Sequence, residues 1–219
     1  MYRIKKILNN NVVQASKNFQ EYIVVGLGIG FGSKPLQVIP EEKIEKVFEL
    51  KREDYYKSSQ LIQEIPEDIF MKLYRLIKDE SEMMQIEIRS HAFLTLVDHI
   101  NFAMQRYKEG QEIRNLLIYD LKILYPDEFR FAERILVKIN EQFSVNLPYD
   151  EVGFLTVHIV NGLNDNINNQ STIVIDAVFD ILNIIRDAYL IALKPEDLAT
   201  QKIMVQLKTL MYRVITKQQ

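Results

Sequence analysis

The hydrophobic pattern of this chain changes its period near residue 60, and this change constrains the fold more than any other feature. Before residue 60, short segments rich in β-branched and aromatic residues are separated by Asn, Ser or Gly, a pattern typical of strands joined by turns. Beyond it, apolar residues recur three and four positions apart, which is typical of amphipathic helices. The sequence therefore predicts a multidomain chain, with a small antiparallel β-sheet domain followed by all-α bundles.

The predicted elements fall into three groups. The first is a set of short strands. Residues 44–50 form either a further strand of this sheet or a helix. The second is a bundle of five antiparallel helices with its own core. The third is a pair of amphipathic helices after an Asn-rich segment, 164–170, that is typical of a linker. The predicted strands cover 4–8, 12–15, 22–25 and 29–31, and the predicted helices cover 66–76, 86 to near 110, 113–124, 129–143, a segment opened by 148–151, 173–193 and 198–215.

Composition and charge exclude several classes of protein. An apolar content of 47% is ample for a core, and without cysteine there is no disulfide framework, cysteine-ligated zinc or thiol catalysis. No apolar run approaches the ~18 residues of a membrane span, and the N-terminus has no signal-peptide core, so we expect a cytoplasmic protein. Residues 1–40 carry five basic groups and one acid in a chain of net charge −3, which favours an anionic partner for this segment.

Four of the seven glycines fall within Gly26–Gly32, which only superficially resembles a nucleotide-binding loop. Such a loop joins a strand to a helix whose N-terminus holds the phosphates, whereas Lys34 and Pro35 follow here. We expect instead a strand whose backbone closely approaches another group. Phe31 on this strand either stacks on an unpaired base or is a core residue of the sheet.

The Asn9–Asn11 segment also has two interpretations. Asparagine amides read base edges and backbone in RNA loops and bulges. Asparagine is equally an ordinary turn former. Lys5 and Lys6 are close in sequence and favour contacts with phosphates, whose contribution depends on salt. Both interpretations stay open on these residues alone.

Two of the three histidines, His99 and His158, lie in similar apolar helical contexts. A metal site lacks a third local ligand, and a catalytic triad lacks a nucleophile in a recognisable context. A phosphoryl-accepting imidazole needs a partly exposed nitrogen and a partner that orients the ring, and for His99 this partner is either Asp98 or a residue on another helix. A buried, hydrogen-bonded histidine is the alternative for either position. The matching contexts favour phosphoryl acceptance, and we assign His91 a structural or surface role.

In combination and order, several motifs resemble the BglG/SacY family of transcription antiterminators over essentially the whole chain. This family couples a co-antiterminator RNA-binding domain to two tandem regulation domains of the sugar phosphotransferase system (PTS). The resemblance implies an RNA-binding domain at 1–58, a first regulation domain at 64–169 and a partial second one at 171–219. The motifs are Asn9-Asn10-Asn11-Val12, Gly26-x-Gly28-Ile29-Gly30-Phe31, Ile44-Glu45-Lys46-Val47-Phe48, Asp98-His99-Ile100-Asn101-Phe102-Ala103 and Asp150-Glu151-x-Gly153-Phe154-x-x-x-His158-Ile159-Val160-Asn161.

The resemblance implies that the N-terminal domain is a four-stranded antiparallel sheet that forms a homodimer. The dimer of this family binds a hairpin in nascent RNA, the antiterminator, and prevents a competing terminator from forming. The residues that match RNA-contacting positions of the family are Lys6, Asn11, Gly26 and Phe31. The implied protein is a regulator, not an enzyme, and needs no cofactor or metal.

The resemblance also implies a switch. His99 and His158 match the phosphorylatable histidines of the first regulation domain. The sugar-specific permease (enzyme II) of the PTS phosphorylates this domain and switches the protein off when the sugar is absent. A phosphohistidine adds about two negative charges, which bias a dimer rearrangement.

Two residues depart from the family pattern. Leu27 stands where a basic residue is usual between the first two glycines, and one lost contact of that kind typically costs ~1–3 kcal/mol. Gln206 stands where the first histidine of the second regulation domain is expected, and glutamine cannot be phosphorylated. The leading hypothesis is an RNA-binding antiterminator controlled by histidine phosphorylation. The alternative is a phosphorylation-sensing regulator that lacks RNA binding and acts by heterodimerising with an intact antiterminator.

Overall fold

The computed structural model describes residues 1–49, 52–111, 113–115, 117–163, 170–191, 193 and 197–216. It divides into two compact units, Met1–Gln105 and Arg106–Gln219. Within the described ranges, every helix is too short or too polar to span a lipid bilayer. The predicted linker at 164–170 falls almost entirely outside the described residues, as does the side chain of His91.

Four antiparallel strands form the sheet of the first unit in the order of the sequence, as predicted. Their register pairs Ile4 with Ala15, Val13 with Val24 and Val24 with Val47, so that alternate residues share a face. Residues 44–50, for which the sequence allowed either a strand or a helix, contain the fourth strand. The strands are β1 (Arg3–Ile7), β2 (Val12–Lys17), β3 (Gln20–Val25) and β4 (Lys46–Glu49).

Both faces of this sheet are covered at its centre. One face packs against the strand-connecting loops, and its core consists of Ile4, Val13, Ala15, Val24, Ile29 and Ile39. On the opposite face, the ring of Phe48 stacks on Phe93 with centroids 5.2 Å apart, and the amide of Gln14 donates to the Ser59 hydroxyl. This double coverage explains why Val12, Val13, Gln14 and Ala15 are all buried although a half-exposed strand would alternate.

The predicted strand at 29–31 is wrong, because the backbone from Gly26 to Gly32 forms successive turns. The amide of Ile29 donates to the Gly26 carbonyl at 3.1 Å, and the amide of Phe31 donates to the Gly28 carbonyl at 3.2 Å. Gly28 and Gly32 have φ values of 65° and 66°, which a glycine adopts without the steric cost that a Cβ imposes. Gly28 and Gly32 therefore serve to reverse the chain and are not part of a strand.

Three helices follow the sheet, and sequence anticipated two of them. The mainly polar α1 (Arg52–Glu64) was not predicted, since its buried positions include Ser58 and Ser59 as well as Ile62. Pro66, which the sequence placed in the first turn of a helix, is the residue immediately before α2 (Glu67–Met84) and occupies its N-cap position. The third helix, α3 (Ser90–Lys108), begins four residues later than its predicted start at 86, because the chain leaves α2 through Gln85 in the left-handed region, with φ 56°.

The second unit is helical over its described residues. Its buried residues include Phe129, Ile135 and Ile139 on one face of the helix predicted at 129–143, and others come from the helices before and after it. The helix predicted from 113 begins only at Ile118, because the side chain of Asn115 accepts the Leu117 amide and holds a turn there. The helices are α4 (Ile118–Leu124), α5 (Pro126–Phe143), α6 (Glu151–Leu163), α7 (Gln170–Tyr189) and α8 (Leu198–Thr216).

Candidate nucleic-acid interface and histidine sites

One end of the sheet, which we call the sheet tip, is formed by Lys6, the Asn9–Asn11 turn and the Gly26–Gly32 loop. Backbone hydrogen bonds join the turn to the loop: the Gly26 amide donates to the Asn11 carbonyl at 3.0 Å, and the Gly30 amide donates to the Asn10 carbonyl at 2.8 Å. The Asn11 side chain adds a third link, since its Oδ1 accepts the Gly28 amide at 2.7 Å. These bonds hold two segments of separate sequence origin as one preformed surface.

Close packing explains two of the glycines in this surface. A Cβ at Gly26 would lie 1.8 Å from the carbonyl oxygen of Lys43, and one at Gly30 would lie 2.2 Å from that of Asn9. The expectation that the backbone approaches another group here is correct, and the groups approached belong to the protein itself. Gly26 is buried by this packing, so its predicted RNA contact stays a prediction.

Apolar side chains and cations project from the sheet tip into solvent. Phe31 is 76% exposed and Leu27 is 66% exposed, so the alternative that Phe31 is a core residue does not hold. Lys6 is also exposed, and Lys5 pairs with Glu21 on the neighbouring part of the sheet. An exposed aromatic ring beside cations is the combination that binds unpaired bases and their phosphates.

Residues from α1 and α2 also reach the sheet tip, which sequence did not anticipate. The carboxylate of Glu67 accepts hydrogen bonds from the backbone amide of Asn10 at 3.4 Å, from its Nδ2 at 2.9 Å and from the Nδ2 of Asn11. Lys6 Nζ donates to the Gln63 side chain at 3.3 Å. The contacting residues lie up to 57 positions apart in the sequence, so no local pattern signals them.

His99 on α3 and His158 on α6 are both partly exposed. Neither residue is fully buried in the core. The His99 ring lies in the electrostatic field of Asp98, whose pKa is raised by partial burial and is lowered to a smaller extent by His99. Whether Asp98 orients the His99 ring stays a prediction. Among the described residues, no three His, Asp or Glu side chains group closely enough to hold a metal ion.

The motif that precedes His158 has a structural role which sequence reasoning missed. Glu151 is buried and accepts a hydrogen bond from Arg106 at 2.7 Å. Asp150 accepts the Asn115 amide at 2.7 Å, and a Cβ at Gly153 would lie 2.3 Å from the Asn115 side chain. The local signal in the sequence is an acid pair at a helix start, which by itself indicates only a favourable interaction with the helix dipole.

Comparison with known proteins gives two family matches along the chain. The family described as CAT RNA binding domain matches residues 2–57, and the family described as PRD domain matches residues 74–162. Among solved structures, the crystal structure of GlcT CAT-PRDI aligns with a TM-score of 0.66 and 31% identity, covering 75% of this chain and 99% of that one.

Three curated relatives are similar over long stretches. Transcription antiterminator LicT of Bacillus subtilis is 33% identical over 94% of this chain and 75% of its own length. The β-glucoside operon antiterminator of Dickeya chrysanthemi is 32% identical over 84% of this chain and 66% of its own length. Protein GlcT of Staphylococcus haemolyticus is 34% identical over 75% of this chain and 58% of its own length. The chain therefore spans between about three fifths and three quarters of these relatives.

Proposed function

The chain belongs to the family of transcription antiterminators that join a CAT RNA-binding domain to a PRD domain, and from this we propose that its sheet tip binds an antiterminator RNA hairpin under the control of His99 and His158. The relatives carry names of antiterminators, which favours RNA binding over the alternative of a regulator without it. The observation that carries the proposal is the exposed ring of Phe31 on a surface braced by Asn10 and Asn11.

Each part of the sheet tip supplies one element of RNA recognition. The ring of Phe31 offers a face on which an unpaired base stacks, a contact that tolerates different bases. The amides of Asn10 and Asn11 supply donors for base edges or phosphates. Lys6 supplies a cation, whose contribution falls as salt rises. Gly26 and its neighbours bring the backbone of the loop into place, and the exposed Leu27 supplies no charge.

We propose that the regulatory part of the chain accepts phosphoryl groups on His99 and His158 from a sugar-specific permease of the PTS. In each transfer a bond forms between an imidazole nitrogen and phosphorus as the bond from phosphorus to the donor breaks. The partial exposure of both rings supports this role. Each phosphoryl group adds about two negative charges, which repel neighbouring carboxylates and shift the arrangement of helices. We place the regulation domain at 64–169, a partial second one at 171–219 and the RNA-binding domain at 1–58, and we propose a homodimer as the form that grips RNA.

A pair of matched variants tests the RNA-binding surface. Phe31→Ala removes the exposed ring from the sheet tip, whereas Phe19→Ala removes an even more exposed ring from the β2–β3 turn at the opposite end of the sheet. Loss of a stacking contact costs ~1–3 kcal/mol, so we expect Phe31→Ala to weaken binding of a hairpin of about 30 nucleotides by roughly tenfold or more. Phe19→Ala should bind like the parent. The measurement is a gel shift with a hairpin enriched from a pool with randomised loop bases, and equal affinities for the two variants would contradict the assignment.

A further inference from the structure

The Glu67 carboxylate occupies hydrogen-bond donors at the sheet tip. It accepts from the backbone amide of Asn10 at 3.4 Å, from Asn10 Nδ2 at 2.9 Å and from Asn11 Nδ2. Asn10 is exposed and Asn11 and Glu67 are partly exposed, so the contact lies at the surface and competes with solvent. A carboxylate that gathers three N–H groups resembles, in charge and in geometry, the phosphate or carbonyl oxygen of a nucleic acid.

We propose that Glu67 is an intramolecular competitor of RNA, which holds the amides of Asn10 and Asn11 in a closed state until the α1–α2 corner moves away. The inference rests on the proposed RNA-binding function and adds the means by which the helical part of the chain controls it. The amide protons cannot serve the carboxylate and an RNA acceptor at the same time. Closed and RNA-bound states are therefore mutually exclusive at these donors.

The corner where α1 meets α2 contacts the sheet tip through residues of both helices. α1 ends at Glu64 and α2 begins at Glu67, so only two residues, Ile65 and Pro66, separate the helices. Gln63 at the end of α1 accepts a hydrogen bond from Lys6, at 3.3 Å. The corner therefore forms hydrogen bonds with both Lys6 and Asn11, two of the four residues that match RNA-contacting positions, and Phe31 stays exposed.

The sheet tip keeps its shape when the corner leaves. The Gly28 amide donates to Asn11 Oδ1 at 2.7 Å, and the Gly30 amide donates to the Asn10 carbonyl at 2.8 Å. Neither bond involves Glu67. Opening therefore frees donors on a surface that is already ordered.

The strength of the competition follows from the closed fraction. If the corner is closed in nine molecules out of ten, the apparent affinity for RNA is reduced about tenfold, because only the open fraction binds. Opening requires displacement of the start of α2, and the PRD match begins within this helix, at residue 74. Any event in the regulatory part that displaces α2 therefore changes RNA affinity without touching the RNA surface itself.

Two adjacent acids provide a matched test. Glu67→Ala removes the carboxylate that contacts the sheet tip, whereas Asp68→Ala removes the same charge from the next position, which is exposed in the first turn of the same helix. Using the full chain and a hairpin of about 30 nucleotides with enriched loop bases, we expect Glu67→Ala to bind RNA about tenfold more tightly than the parent. Asp68→Ala should change affinity less than twofold. Glu67→Gln keeps the side-chain length and removes the charge, and it should also tighten binding.

The outcomes separate this inference from the proposed function. The competitor role would be overturned, with RNA binding left in place, if the parent, Glu67→Ala and Glu67→Gln bound RNA with equal affinity. Weaker binding by both Glu67 variants would overturn it as well, since the carboxylate would then assist the RNA. Failure of every folded variant to bind RNA at any salt concentration would overturn both. Side-chain amide NMR signals of Asn10 and Asn11 without RNA add a direct readout, because they should shift in Glu67→Ala and not in Asp68→Ala.

Discussion

Replacement of Leu27 at the sheet tip tests whether a basic side chain at this position raises RNA affinity. Leu27 projects into solvent between Gly26 and Gly28, so a longer side chain has room there. Its backbone amide donates to Glu45 at 3.2 Å. We expect Leu27→Arg to tighten binding of the enriched hairpin by ~1–3 kcal/mol, through a bidentate contact to phosphate or base. The measurement is a gel shift at two salt concentrations.

A second arginine variant controls for the added charge. Phe19→Arg places the same charge in the β2–β3 turn, at the end of the sheet opposite the sheet tip. Its affinity should rise much less than that of Leu27→Arg. Similar gains in the two variants would show that bulk charge, rather than a local contact, determines affinity.

Asp120, in the first turn of α4, gives the molecule a pH-dependent stability. Burial raises the pKa of its carboxyl from 3.8 to about 6, so the folded state favours the neutral acid. Stability from this group is therefore present below pH 4 and is lost as the pH rises toward 6, since the unfolded carboxyl ionises first.

We predict that Asp120→Asn, which mimics the neutral acid, is more stable than the parent above pH 6. Because the side chain is partly exposed and screened by solvent, we expect a gain of about 1 kcal/mol in the free energy of unfolding at pH 7.5. Urea denaturation at pH 7.5 and at pH 3.5 measures the difference. A gain that persists unchanged at pH 3.5 would assign the effect to packing instead of ionisation.

Among the helices, α6 depends on a buried ion pair at its first residue. The Glu151 side chain is 3% exposed and contacts Arg106 near the end of α3, at 2.7 Å. Glu151→Ala leaves the Arg106 guanidinium without this partner in a poorly solvated site, which costs ~3–5 kcal/mol. We expect a loss of that order in the free energy of unfolding, measured with urea.

The surface pair on α5 is the control for this prediction. Lys138 contacts Glu141 at 3.3 Å, and both side chains are largely exposed. Glu141→Ala should cost less than ~1 kcal/mol, because water solvates Lys138 in either variant. Equal losses of unfolding free energy in the two variants would mean that the burial of Glu151 adds nothing to the stability that its ion pair provides.

The sequence predicted those helices and strands that are specified by neighbouring residues. Alternating apolar residues and turn formers located β1, β2 and β3, and apolar residues at helical spacing located α2, α3 and α5. The helix α1 was missed because its buried side includes Ser58 and Ser59, which carry no apolar signal. The strand expected at 29–31 failed because glycines in a turn and glycines in a thin strand look the same in a sequence.

In the molecule as a whole, phosphorylation should act from the helical part of the chain on RNA binding at the sheet. We predict that phosphoramidate, a small-molecule phosphoryl donor to imidazole, weakens hairpin binding by the full chain roughly tenfold, equivalent to ~1.4 kcal/mol. The double variant His99→Ala/His158→Ala should resist this treatment. Gel shifts before and after treatment measure the effect, and mass spectrometry counts the phosphoryl groups.

The third histidine of the chain is the control for this experiment. His91→Ala should lose RNA affinity on treatment as the parent does, because only His99 and His158 are assigned the acceptor role. A response that disappears in His91→Ala and persists in the double variant would reverse the assignment. Sedimentation of the same samples reports whether the loss of affinity accompanies loss of the proposed homodimer.

The sequence by itself determined the order of the domains, the antiparallel sheet, most helices and the residues worth testing, because periodicity, turn formers and motif spacing are properties of neighbouring residues. Tertiary structure alone decided which of these residues are accessible and what they touch. It exposed Phe31, buried Gly26 against Lys43 and brought Glu67 onto Asn10 from 57 positions away. Such contacts arise because the packing of helices against a sheet brings together segments that are far apart in the sequence. No local sequence pattern indicates which of these segments meet.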